Sequence, residues 1–485
     1  MIFLDILQTL LLVGLSLECF RVLQACSYKP QRGYVKIFLS SYFILLACTQ
    51  VVFCLVYFLL PKWYTLVPLA ISALLVVVKK RKCPLKFTKR IVRMVICLAL
   101  VLFCLCYFAK RAFVVVMLPI FVLVSWIVCL PIDICIANYY IGKAVKKLKD
   151  SGITVIAITG SYGKTCTKDM LATLLNDAIS PKGSCNTPLG IASFINKSNL
   201  AGYKYLILEF GARNVGDIKQ LCKLFCPQYG IVTGICEQHL VTFKNLQNIV
   251  KTKGELVESL PSQGFCVLNG ADDNVSFLQT FGLCNKIYTN KKSVMEVSTT
   301  LRGVVFKIVS NDKLYHVHLS QISKYIVDTF LVCFEMCTRL GQSESNTISN
   351  CQKVKQTPHR MEVSNNGSFW IVDDAYNANI KGVTSCCDTM SQFDNYKIVL
   401  TQGIVEGGKL QRELNERCAL ILGDTFDVVI AIGKYAEYLR LGANKGRCKI
   451  EVAKNLVEGT KILQKYVKAN CIVVFQNDLP DVVCL

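Results

Sequence analysis

Thr159-Gly160-Ser161-Tyr162-Gly163-Lys164-Thr165 stands between an apolar run at residues 154–158 and a helix-like run at residues 168–175. Strand, glycine-bearing loop and helix in that order turn backbone N–H groups toward phosphate oxygens at a helix N-terminus. Gly160 and Gly163 permit the turn around Ser161, Lys164 supplies a cation for the terminal phosphates, and the Thr165 hydroxyl can ligate Mg²⁺. A nucleoside triphosphate, ATP, is the expected ligand. The general phosphate loop has four residues between its glycines, and here there are two, G-x-x-G-K-T, so a particular subfamily is indicated. A glycine-rich turn with a chance Lys-Thr is the competing reading, and the strand and helix on either side disfavour it.

The chain has 485 residues, room for two to four domains, and 53% of them are hydrophobic. The apolar excess is concentrated before residue 140, where five runs stand out: residues 2–19, 38–60, 64–78, 94–109 and 112–132. These predict a helical membrane domain of about five spans over residues 1–140, with Pro119 a candidate kink. The first run carries Asp5, Gln8 and Glu18; a signal peptide competes with an anchor there, but positive charge before it and a small-residue cleavage site after it are both absent. The third and fourth runs are short, and two spans or a re-entrant pair fit them equally.

Basic residues fall in alternate connections: Arg21, Lys29, Arg32 and Lys36 after the first run, and Lys79, Lys80, Arg81, Lys82, Lys86, Lys89, Arg90 and Arg93 between the third and fourth. The positive-inside bias puts those loops, and with Lys143, Lys146, Lys147 and Lys149 the whole C-terminal part, in the cytoplasm. A multi-pass protein of the cell membrane with cytoplasmic soluble domains is expected. The net charge of +22 suits anionic lipid; no nucleic-acid module accompanies it, so nucleic acid is not an expected partner. The 26 cysteines include no C-x-x-C pair and read as reduced, buried small hydrophobes.

From residue 151 short aliphatic runs alternate with amphipathic segments, the pattern of a parallel sheet flanked by helices. Strands are expected at residues 155–158, 205–209, 230–233 and 265–268, then at 369–373, 396–400, 427–432 and 471–475. The polar stretch 340–357 reads as a helix end and connection, with a boundary near Gln356, giving α/β domains over residues 150–355 and 356–485. Open α/β sheets bind ligands at the carboxyl ends of their strands. Four polar clusters sit there: Glu209 in L-E-F-G-A-R, His239 in E-Q-H-L, Lys253 in K-T-K-G-E-L, and Asn269 with Asp272 and Asp273 in L-N-G-A-D-D-N. Glu209 offers a carboxylate of the kind a Mg·ATP site needs. Taken singly, a solvated turn glutamate, a capped surface histidine and a solvated helix lysine are the ordinary readings of these residues.

Together with P-H-R-M-E-V, D-D-A-Y-N-A-N and Q-N-D-L-P-D, the order and spacing of these segments resemble the Mur ligases, ATP-dependent amide-forming enzymes, over residues 155–485. The resemblance is to the branch that adds D-alanyl-D-alanine to a UDP-muramoyl tripeptide. It implies a P-loop central sheet domain and a Rossmann-like C-terminal domain. By the same resemblance Lys164 would hold the β and γ phosphates, Thr165 and Glu209 one Mg²⁺, and His239 a second. Lys253 matches a position carbamylated in the family, and a carbamate would make it an oxygen ligand for the second ion. Asn269 matches the adenine-contacting position, Arg360 a nucleotide-contacting arginine, and Asp374, Tyr376, Asn377 and Asn379 the segment that closes over nucleotide and substrate. Catalytic roles would fall on Lys164, His239, Lys253 and Arg360.

Two departures stand out: the family's P-G-R is Pro358-His359-Arg360 here, and its N-P is Asn379-Ile380. Apolar runs occupy the place of the family's UDP-holding domain. The expected activity is amide ligation through an acyl phosphate, with a UDP-linked or lipid-linked muramoyl peptide as acceptor and D-alanyl-D-alanine or another amine as donor. A poly-γ-glutamate-type synthase is the alternative within this chemistry. An ATP-driven transport or sensory protein is the alternative outside it, with Asp133 as its acidic candidate.

Overall fold

A computed structural model describes residues 2–30, 34, 37, 40–78, 84–108, 114–323, 325–376, 378–405, 407–443 and 448–477. Asn377, residues 478–481 of the closing motif, and the orienting residues Arg32, Lys36, Lys79, Lys80, Arg81 and Lys82 lie outside the described residues. The chain divides into two compact units, one up to Tyr139 and one from Tyr140.

The first unit is helical: α1 (Ile2–Ala25), α2 (Ser41–Leu59), α3 (Leu66–Val78), α4 (Lys89–Phe108) and the start of α5 (Leu118–Ser151). Among the described residues four helices, not five, are long and apolar enough to cross a membrane. The third run falls short because α3 holds 13 residues, a rise of roughly 20 Å against a hydrocarbon core of about 30 Å. The fourth gains length by recruiting Lys89 to Arg93 into α4. Pro119 sits in the first turn of α5, where its missing N–H costs nothing, so it does not kink the helix; the proline inside is Pro131. Asp133 pairs with Arg90 at 2.6 Å and with Arg93, a carboxylate already answered by two guanidinium groups.

In the second unit β1 (Thr154–Thr159), β2 (Ala178–Ile179), β3 (Tyr205–Glu209), β4 (Tyr229–Val232), β5 (Phe265–Leu268) and β6 (Asn285–Tyr288) form a parallel sheet in the order β2-β3-β1-β4-β5-β6. Strand β1 is paired on both edges and covered on both faces, which explains its unbroken apolar run. Ile156 and Ile158 pack with Leu171 and Leu174 of α6 (Lys164–Leu174), while Val155 and Ala157 pack with Leu206 and Leu208 on the other side. A small antiparallel sheet follows, β7 (Val294–Thr300), β8 (Gly303–Ser310) and β9 (Lys313–Leu319), with a register shift between Met295 and Ser298. It buries Phe306 edge-on against Phe330, ring centroids 5.2 Å apart.

The second large sheet comprises β10 (Glu362–Asn365), β11 (Trp370–Asp374), β12 (Lys397–Thr401), β13 (Val428–Ile432), β14 (Lys449–Ala453) and β15 (Ile472–Gln476), in the order β10-β11-β15-β12-β13-β14. Only β10, at the edge, runs antiparallel to its neighbour. All eight strands expected from the sequence are present with ends within one residue. Residues 340–357, expected to hold a helix end and connection, contain a short helix of their own, Glu344–Asn350.

Asn415, fully buried, fastens the loop after β12: its Oδ1 accepts from Ile404 N at 2.9 Å and its Nδ2 donates to Ile404 O at 2.9 Å and Gln411 O at 2.8 Å. Replacing it strands those backbone groups in the interior. Asn415→Leu is expected to lower stability by about 2–3 kcal/mol in denaturant titration of the detergent-solubilised chain.

Candidate active site

The site begins where β1 and β4 end side by side. After β1 the chain turns at Gly160 (φ +152°), where a Cβ would come 2.1 Å from Thr233 Oγ1. Gly234 (φ +158°) ends the neighbouring strand, and a Cβ there would strike the Tyr162 ring at 2.3 Å. Ser161 closes the pair of turns, its N–H bonded to Gly234 O at 2.8 Å and its hydroxyl donating to Cys236 O at 3.1 Å. Gly163 (φ +74°) then starts α6, whose first residues are Lys164 and Thr165.

Strand β3 pairs with β1 in the register that sets Glu209 beside Ile158, at the same end of the sheet. The buried Glu209 carboxylate accepts from Thr165 Oγ1 at 2.9 Å and from Asn186 Nδ2 at 3.1 Å. Lys164 folds back on the loop, Nζ to Gly160 O at 2.8 Å. Burial lowers its pKa from the ordinary 10.5, with Glu209 opposing and Arg360 adding to the shift. Lys253, 3% exposed on helix Leu246–Ser259, is pushed down to about 7, first by burial and then by the Lys164 charge. It is therefore a substantially neutral amine near pH 7, the form that can add CO₂. Asn269, at the end of β5, holds its amide by donating to Thr233 O at 2.8 Å.

The second sheet closes the site. Burial raises Asp374, at the end of β11, to about 7, and Arg360 opposes the shift. The Arg360 guanidinium lies 3.8 Å over the Tyr376 ring, whose hydroxyl meets Ser184 Oγ at 2.5 Å. Gly163, Thr233 and Asn269 face Arg360, Asp374 and Asn379 across a cleft of ≈ 880 Å³, counting its solvent-open mouth. His239 lies on a second, smaller cleft with Glu237, Asn379 and Ile404, and adopts a left-handed conformation (φ 53°) at the head of helix Leu240–Phe243. Asn379 lines both clefts and caps helix Ile380–Met390, its Oδ1 accepting from Gly382 N at 2.9 Å.

Both departures from the family pattern are accommodated locally. His359 keeps the left-handed backbone (φ 59°) that a glycine would take, with its Nδ1 2.8 Å from Asp373 Oδ2. Ile380 occupies the first helical position, which any non-proline residue can fill as well. Asn186 and Lys168 were not singled out by sequence reasoning. Lys168 is fully buried and donates to Pro181 O at 2.6 Å and to Gly183 O, tying down the segment that carries Asn186. Its spacing of four from Lys164, on the buried face of α6, is the signal that could have marked it; Asn186 has none.

The glycine cradle, the Lys164 cation and the Thr165–Glu209 pair fit a Mg²⁺-bound nucleoside phosphate. The fold and this loop define an α/β unit of the P-loop type. Residues 158–337 match the Mur ligase middle domain family. A UDP-N-acetylmuramoyl-tripeptide–D-alanyl-D-alanine ligase of Mycobacterium tuberculosis is 30% identical over 244 residues, 48% of this chain and 48% of the relative. The chain thus spans about half the length of the mycobacterial relatives it matches. The Escherichia coli ligase of the same name is 22% identical over 308 residues, 60% of this chain and 67% of that protein. In fold, the chain is similar to MurF of Acinetobacter baumannii (TM-score 0.65, 19% identity, 70% of this chain and 77% of that one). MurF of Thermotoga maritima in complex with ADP is similar too (TM-score 0.63, 23% identity, 72% and 81%).

Lys253 carries a pH signature. Between about 7 and the ordinary 10.5 the unfolded chain binds a proton that the folded chain does not, so the stability penalty of this group fades as pH rises through that window. Trace labelling of Lys253 with acetic anhydride, followed by peptide mass spectrometry, is expected to rise with a midpoint near pH 7. Exposed lysines should show theirs near pH ~10.

Proposed function

We propose that this chain is a membrane-anchored, ATP-dependent amide ligase of peptidoglycan-precursor synthesis, adding D-alanyl-D-alanine to a muramoyl peptide through an acyl phosphate. The observation that carries it is the cleft in which the phosphate loop faces Arg360 and Asp374 of the second sheet. The names of the relatives supply the substrate class, and the four apolar helices support anchoring. The second sheet, parallel but for one edge strand, serves as the Rossmann-like closing domain.

Lys164 binds the terminal phosphates, Asn269 orients the base, and Arg360 with Asp374 and Tyr376 holds the nucleotide from the opposite side. Thr165 and Glu209 would hold one Mg²⁺, and His239 with a carbamylated Lys253 a second; bound there, the ions offset charge on the transferring phosphoryl group. The acceptor carboxylate takes the γ-phosphoryl of ATP and ADP departs. The donor amine then attacks the acyl carbon, phosphate leaves, and the amine proton passes to solvent. Lys164 and Arg360 stabilise the charge that gathers during transfer, so no side-chain nucleophile is required. The acceptor is UDP-linked or presented at the bilayer on a lipid, and the basic residues Lys143, Lys146, Lys147 and Lys149 keep the site on the cytoplasmic side beside anionic lipid. No observation favours transport, since Asp133 is held by Arg90 and Arg93.

Purified protein in nanodiscs, given Mg·ATP, D-alanyl-D-alanine and either a UDP-linked or a lipid-linked muramoyl tripeptide, is expected to give a product heavier by one dipeptide. Lys164→Ala should lower the rate at least ~10²-fold. ADP release with no amide product from either acceptor would sink the ligase reading. Glu209→Gln should weaken Mg²⁺ binding, read as a higher Mg²⁺ concentration for half-maximal ADP release.

A further inference from the structure

Asp272, in the segment after β5, has a side chain with no exposed surface. Its Oδ2 accepts from the Tyr162 hydroxyl at 2.5 Å and faces Lys381 Nζ at 2.5 Å; its Oδ1 accepts from Asn274 N at 3.0 Å. Tyr162 belongs to the phosphate loop, Asp272 to the rim of the first sheet, and Lys381 to the first turn of helix Ile380–Met390, which follows β11 of the second sheet. One carboxylate therefore joins the loop to the closing part. Tyr325 backs the arrangement, its ring 5.3 Å from that of Tyr162 and its hydroxyl 3.4 Å from Lys381 O.

We propose that Asp272, Tyr162 and Lys381 form a latch between the two sheets, with Lys381 a positioning residue that holds Arg360 and Asp374 over the nucleotide. Stripped of its cation, the buried carboxylate keeps only the hydrogen bonds from Tyr162, Asn274 N and, at 3.4 Å, Ile235 N, and loses its one counter-charge, whereas an exposed pair loses little. The geometry that buries Asp272 is the one with the sheets together, so Lys381 adds to the population of that state. Apparent nucleotide affinity scales with the fraction of molecules in the competent state, and the latch raises that fraction. Because Tyr162 shares the carboxylate, the same contact fixes the side chain that fills the space beside Gly234.

The inference rests on the nucleotide-binding reading above, and ADP binding separates the two. Titration of Mg·ADP into the full chain in detergent, by calorimetry, gives the dissociation constant for wild type, Lys381→Met and Lys381→Arg. Lys381 is about one-third exposed (32%), so its variants should fold, which thermal melting checks. Lys381→Met is expected to weaken ADP binding about tenfold and Lys381→Arg to restore it to within about threefold. In turnover, Lys381→Met should raise the ATP KM with kcat reduced far less, the mark of a lost closed state as opposed to lost chemistry. A folded Lys381→Met with wild-type ADP affinity overturns the latch. So does a deficit that Lys381→Arg leaves fully in place. Wild type that does not bind ADP overturns the nucleotide reading instead.

Discussion

Two turns in contact govern this site. Gly160 and Gly234 end the adjacent strands β1 and β4, and the bond from Ser161 N to Gly234 O joins them with no room for a Cβ on either side. The geometry of the loop follows from that approach. It points the start of α6 across the sheet edge, brings Thr165 to the Glu209 carboxylate, and leaves Tyr162 to fill the space over Gly234. Backbone positions at φ beyond +150° in both turns fix which residues can stand there, independently of any catalytic role.

Cations gather at the end of the first sheet. Lys253 is buried and Lys164 half-buried; the Lys164 charge lowers the proton affinity of Lys253, while Arg360 adds to the field at Lys164 and Glu209 opposes it. A site that concentrates cations at the end of a sheet, in surroundings that disfavour them, has its best counter-charge in a polyanion. Bound phosphates would raise the proton affinity of Lys164, so ligand and lysine protonation are linked. Asp374, lifted by burial on the facing side, is held by Arg360 and adds to this coupling.

The phosphate loop and the eight main strands were legible because both are local: a glycine spacing and unbroken aliphatic runs in strands buried on two faces. The antiparallel sheet β7–β9 was not, since β7 is largely exposed and its residues carry no sustained alternation. Edge strands β2, β6, β10 and β14 escaped for the same reason, being short or polar. At the site, Glu209 and Asn269 were readable as strand-end residues, but Asn186 and the Asp272–Lys381 contact depend on segments far apart in sequence. His239 was placed on a smaller cleft, with Asn379 the residue common to both. Five apolar runs yield four described helices long enough to cross a membrane, because hydrophobicity alone does not measure helix length and residues 64–78 are apolar but few.

The edge strand β7 carries a device against pairing with other chains. An exposed edge offers unpaired backbone groups to any extended segment that meets it. Here the register slips between Met295 and Ser298, Glu296 turns into the left-handed region (φ 50°), and its carboxylate meets Lys307 at 2.5 Å. A strand laid along β7 would lose its ladder at that step and would have to bury a charged pair. The irregularity is thus a guard against strand addition, and smoothing it would turn a surface feature into an aggregation seam.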